Sequence, residues 1–198
     1  FILAFLTIVV GGSLTLFAFR APQEQGKPFH WQSRESLLLI NNLFLTAACA
    51  MVLIGTLYPL LAEALGLGKI SVGPPYFGKL FVILMAPIVL LIPFGPLTRW
   101  QNEQLGTVAK WLLPWFILAL AVAAWQFLHA PQHPVKTALA AFAGLWIFWG
   151  TARFVWHRIK HAQGRFTAEM SGMVLAHTGV AVFCFGVLMA EALSVEKD

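Results

Sequence analysis

Charge is scarce in this chain. Of its 198 residues, 11% are Asp, Glu, Lys or Arg, and only 8 residues are acidic. A soluble domain is about a quarter charged and about half apolar. Here 59% of residues are hydrophobic and the mean hydropathy is +0.78, which excludes an ordinary water-soluble domain. Polar stretches are short as well: the longest runs about a dozen residues, too few to house a separate soluble domain. Cysteine is nearly absent. Cys49 and Cys184 lie in separate apolar runs, so no disulfide framework is indicated, and both are expected as small buried apolar residues. The chain opens on Phe1 with no charged segment ahead of its first apolar run. That run therefore does not read as a signal peptide, and the chain reads as a portion of a longer protein. No internal repeat is visible, which weakens a transporter built from two matching halves.

What remains is a series of apolar runs. A membrane-spanning helix needs about 20 mostly apolar residues. Six segments meet that requirement: Phe1–Phe19, Leu37–Leu61, Leu80–Leu97, Trp111–Leu128, Thr137–Val155 and Met170–Ala190. The expected fold is an all-α polytopic transmembrane helix bundle over residues 1–193. Residues 194–198 turn polar and read as the start of a periplasmic segment. The fifth span requires Arg153 to reach the interface along its aliphatic stem. Pro87 and Pro93 are expected to kink the third span.

The loops alternate in charge. Arg20, Lys27, Arg34, Arg99, Lys110, Arg153, Arg158, Lys160 and Arg165 fall on one side. Only Lys69, Lys79, Lys136 and Lys197 fall on the other. Positive residues mark the cytoplasmic side, so both ends of the chain are expected to be periplasmic. The net charge of +5 thus reads as topology and contact with membrane lipid, and implies no nucleic acid. Trp31, Trp100, Trp111 and Trp156 fall at the same inner boundary, as an aromatic belt does.

The six histidines differ in context. His30 reads as a solvated loop residue. His129 and His133 have the spacing of a helical metal pair, but Pro131 and Pro134 break the helix that would align them. His157 and His161 stand among Arg153, Arg158, Lys160 and Arg165, a field that suits anionic lipid headgroups better than a cation. His177 is of another kind. The run Met170–Ala190 contains no other ionisable side chain except Cys184. An ionisable residue in lipid is costly and usually faces a partner, a cavity or a cofactor. His177 lies seven residues into its span, about 10 Å from the inner end. Ala176 and Gly179 beside it are small enough to admit a flat ligand. An axial ligand to a b-type haem, a neutral histidine bonded to a neighbouring helix, and a proton relay all remain open on these residues alone.

Three further segments stay similarly open. Asn41 and Asn42 serve either interhelical hydrogen bonding or, with Arg34, a quinone or other polar ligand. Ser33 or Ser36 can cap the second helix, with Glu35 suited to its first turn. The stretch Lys69–Phe77, with Gly73, Pro74, Pro75 and Tyr76, serves either as a periplasmic platform for haem or a partner, or as a rigid turn into the next span.

Several segments resemble the cytochrome c maturation protein F (CcmF) family. They are Ser33–Asn42, Gly55–Leu61, Gly66–Phe77 and Met173–Val182. The resemblance runs through all six spans. It implies a haem lyase subunit of the bacterial inner membrane. Such a subunit would take haem from the periplasmic chaperone CcmE, with CcmH and CcmI presenting apocytochrome c. It would join two haem vinyl groups to two cysteine thiols. It also implies a membrane haem b held by two histidines and fed with electrons by quinol. By position, His177 matches the more C-terminal of those ligands, and so ligates haem iron. The family's tryptophan-rich signature and the second membrane histidine are not found in these 198 residues; the resemblance puts them upstream of Phe1. No residue here is a convincing general acid or base for thioether formation. A haem exporter and a helical scaffold subunit are the alternatives. A reporter fused after Ala190 is expected to signal from the periplasmic side, and a cytoplasmic signal would reverse the topology.

Overall fold

A computed structural model describes residues 1–20, 30–100, 105–130, 133–161 and 166–193. Lys27, Arg165, Lys197 and the segment 194–198 lie outside the described residues. Among those described there are six α-helices long and apolar enough to cross a membrane. They are α1 (Ile2–Arg20), α2 (Arg34–Ala64), α3 (Pro74–Leu91), α4 (Leu105–His129), α5 (Pro134–His161) and α6 (Ala168–Leu193), with a 3₁₀ turn at Gly95–Leu97 after α3. The chain is a multi-pass, all-α membrane protein.

The helices extend beyond the apolar runs because caps, and not hydropathy, end them. Ser33 is the N-cap of α2, and its Oγ accepts a hydrogen bond from the Ser36 N–H at 3.3 Å. Glu35 sits in the first turn, as the helix dipole favours. At the other end, Gly66 takes φ +71°, a conformation a side chain resists. Its N–H donates to the Glu63 carbonyl, and the Leu67 N–H donates to the Ala62 carbonyl. That double bond is the Schellman termination. Between these caps α2 runs 31 residues, longer than a hydrocarbon core requires. The helix α3 starts at Pro74, six residues before the apolar run, because Pro74 and Pro75 occupy its first turn, where no N–H is needed. It continues through Pro87 and stops at Leu91, so Pro93 and Pro96 mark its exit.

The packing centres on α5, which lies against α4, α6 and the end of α3. Its buried face carries Thr137, Ala140, Ala141, Gly144, Gly150 and Thr151, small residues that let other helices come close. A methyl group at Gly144 would meet the Phe185 ring of α6 at 3.0 Å. One at Gly150 would overlap the Pro93 ring. Ile147 and Trp146 are the large exceptions, and Trp146 anchors the contact with α4. It is 2% exposed and sits in a cluster with Val108, Leu112 and Ala119 of α4, bordered by Phe94, Phe116 and Phe142. Its indole N–H donates to the Leu90 carbonyl at 3.2 Å. The Leu90 carbonyl is open because the Phe94 N–H turns back to Leu91, in 3₁₀ fashion. Away from water, such an orphan acceptor must find a donor, and Trp146 supplies it.

On α2, Gly55 receives the rings of Tyr76 and Phe77 from the start of α3. The first helix differs from the rest: none of the residues of α1 is buried. Cys49 is exposed and Cys184 half-buried, so the expectation of two buried cysteines is corrected. Cys49 lies on an outward face, where a small thiol contacts lipid as readily as it would a core, and Cys184 is partly covered. Gly150→Leu is expected to part α3 from α5 and destabilise the detergent-solubilised protein by about 1–3 kcal/mol. Gly186→Leu, where nothing lies within 4 Å of an added Cβ, is the control. Equal melting temperatures for the two variants would show that the α3–α5 contact is not tight.

Candidate functional site

A cavity of about 320 Å³ opens between α2, α3 and α6. One wall is α2, with Arg34, Leu37 and Asn41 on successive turns. A second is the end of α3, with Ile88 and Leu91, and with Gly95 and Pro96 at the base. The third is α6, with Met173, Ala176, His177 and Val180. The start of α2, the exit of α3 and the start of α6 lie at the same end of the bundle, and the cavity sits toward that end.

Local structure fixes the base. The Arg34 N–H donates to the Arg99 carbonyl at 3.0 Å, which ties the start of α2 to the chain leaving α3. Ser33, fully buried, caps the helix at the same point. Thr98 Oγ1 donates to the Gly95 carbonyl at 3.0 Å and closes the 3₁₀ turn. The Arg34 guanidinium carbon lies 5.1 Å from the centre of the Trp100 ring, a cation–π contact at the level of the aromatic belt.

Among the described residues the walls are apolar apart from Arg34, Asn41 and His177, and no carboxylate lines the cavity. His177 Nδ1 lies 2.9 Å from the Met173 carbonyl one turn back. A carbonyl oxygen only accepts, so Nδ1 carries the hydrogen and Nε2 keeps its lone pair. Carbonyl orientation of one ring nitrogen is the usual support for an imidazole that binds metal through the other. His177 stands nine residues from the start of α6, about 14 Å along its axis. A b-type haem fits this set: an apolar slot, one imidazole with a free nitrogen, and small Ala176 beside it.

The structure brings together residues that the sequence presented as separate groups. Arg34 and Asn41, read as a quinone or polar contact, share one cavity with His177 and Ala176. Asn42 is not part of the lining; it is exposed, with its Oδ1 3.5 Å from Asn41 Nδ2. Gly179 does not line the cavity either, being about 200° round the helix from His177, with open space about it. Gly73, Pro74, Pro75 and Tyr76 form the N-cap and first turn of α3, and the Tyr76 hydroxyl donates to the Met51 carbonyl at 3.4 Å. The α3 wall and the Met173 carbonyl were missed. Pro96 was the only signal, since a helix-ending proline can shape a cavity.

The other histidines are engaged differently. The His129 ring stacks on Trp125 at 3.8 Å, and His133 has φ 47°, so the two do not share a helix face. His157 and His161 stack at 4.5 Å, next to Trp111 and beneath its contact with Arg153. That Arg153–Trp111 contact, at 5.4 Å, is how α5 accommodates its arginine. Among the described residues no three His, Cys, Asp or Glu side chains cluster to hold a metal ion.

No family profile matches the chain, and no solved structure matches it. Curated proteins do. The cytochrome c-type biogenesis protein CcmF of Pseudomonas aeruginosa is 39% identical over 208 residues, covering 100% of this chain and 31% of that protein. CcmF of Escherichia coli K12 is also 39% identical, over 202 residues, with the same coverage. The cytochrome c-type biogenesis protein ccl1 of Rhodobacter capsulatus is 39% identical over 99% of the chain and 30% of its own length. The chain is CcmF-like over its whole length. It spans about a third of the length of these relatives. The likeness covers all six helices, and with them every wall of the cavity.

Proposed function

We propose that this CcmF-like chain serves c-type cytochrome biogenesis as part of a haem lyase subunit, with His177 as one axial ligand of a membrane haem b. The observation that carries the reading is His177 itself: an imidazole within the membrane, oriented by the Met173 carbonyl, on the wall of an apolar cavity. The names of the relatives supply the process, cytochrome c-type biogenesis. In the reading proposed, haem arrives from the chaperone CcmE, and CcmH and CcmI present apocytochrome c. Each thioether forms when a cysteine thiol adds across a haem vinyl group, sulfur bonding to one carbon and the proton going to the other. A haem b held on His177 would supply one-electron transfer, with quinol as the donor and the iron of the haem being attached as the acceptor.

This chain's own residues hold and orient. His177 ligates, the Met173 carbonyl sets its tautomer, and the α2 and α3 walls exclude water. In this reading a second histidine, outside these residues, would complete the ligation. A transporter reading is less well supported, because the polar lining is confined to one end of the bundle and the α3 wall is apolar. In a reduced-minus-oxidised spectrum of the whole protein purified from membranes, His177→Ala is expected to abolish the b-type bands. The cytochrome c yield is expected to fall at least tenfold with it. Bands and yield at wild-type level would sink the ligand assignment.

A further inference from the structure

We propose that Arg34, with Asn41 beside it, is the carboxylate anchor of the cavity, taking the propionate groups of the haem and so fixing how the ring sits on His177. This inference rests on the haem reading of His177. Three observations carry it. First, Arg34 and His177 line one cavity of about 320 Å³, near the lower end of the roughly 300–1,000 Å³ typical of ligand pockets. That is room for one ring system. A quinone at Arg34 and a haem at His177 would therefore compete for the same space, and the two residues serve one ligand.

Second, among the described residues no carboxylate side chain lines the cavity, so an anionic group is what complements Arg34 there. A quinone ring brings only neutral carbonyls. Haem brings two carboxylates, and a guanidinium offers forked N–H donors that fit a carboxylate. Third, Arg34 is held in place. Ser33 caps its helix, its N–H is bound to the Arg99 carbonyl, and its guanidinium lies over Trp100 at 5.1 Å. A guanidinium resting on a ring keeps its N–H edges available. Asn41, two turns further in on the same wall, offers an amide donor between the arginine and the histidine level. Arg34 is thus a positioning residue for the haem, at the interfacial end where carboxylates are least costly to seat.

The test uses the whole protein, stripped of haem and then titrated with haem or with haem dimethyl ester, whose carboxylates are blocked. Wild type is expected to bind haem about tenfold or more tightly than the diester, the worth of a charge-assisted hydrogen bond. Arg34→Leu is expected to bring haem down to the diester's affinity and leave the diester unchanged. Arg34→Lys, which keeps the charge and loses the fork, should fall between. The midpoint potential of bound haem should move lower in Arg34→Leu, since a nearby cation favours the reduced iron. A merely misfolded variant would lose both ligands alike, and its lysine counterpart shows whether the charge matters. Equal affinity of wild type for the two haems, or undiminished discrimination in Arg34→Leu, overturns the anchor. Retention of the b-type spectrum in His177→Ala overturns the haem reading instead, whatever Arg34 does.

Discussion

The contact between α3 and α5 governs the rest of the bundle. Pro93 lies on Gly150 so closely that a side chain there would collide with it. Just inward, the Trp146 indole N–H takes the Leu90 carbonyl that the tightened end of α3 leaves open. Where hydrocarbon surrounds the helices, apolar burial between them adds little, and close packing and hydrogen bonds decide association. Here both occur at the same place. The contact joins the α2–α3 pair to the α4–α5–α6 group. It also sets how far α2 stands from α6, and so the width of the space between them.

That space explains why the proline-rich exit of α3 sits where it does. Pro93 and Pro96 end the helix, and Gly95 and Pro96 become the base of the cavity under His177. The start of α2 meets the same exit through the Arg34–Arg99 backbone bond. The base is therefore built from backbone hydrogen bonds and capping and does not rely on long side chains. A ligand held there would rest on a firm floor, with an imidazole above and a guanidinium at the edge.

Much of the fold was legible in the residues. Six spans follow from six apolar runs, and Ser33, Gly66 and Pro74 carry the start and stop signals that place the helix ends beyond those runs. His177 was legible too, because an ionisable side chain in such a run needs a reason. Less legible was which glycines matter. Gly144 and Gly150 are packed against rings, whereas Gly172, Gly179 and Gly186 have open space around them. In sequence all five are small residues in apolar helices, and only a neighbour's position separates them. The cysteines repeat the point: in a membrane an apolar run has a lipid face as well as a buried one, and Cys49 lies on the exposed side.

Composition and hydropathy determined by themselves that the chain is a set of membrane helices and that one histidine is out of place among them. Those properties are local, fixed by each segment's own side chains and backbone. That Arg34, Asn41 and His177 share one cavity was decided only by the tertiary structure. Arg34 and Asn41 share a face of α2, but His177 lies more than a hundred residues on, in α6, and no periodicity links it to them. Their meeting depends on how closely α3 approaches α5, which in turn depends on a glycine, a proline ring and one indole N–H fitting together.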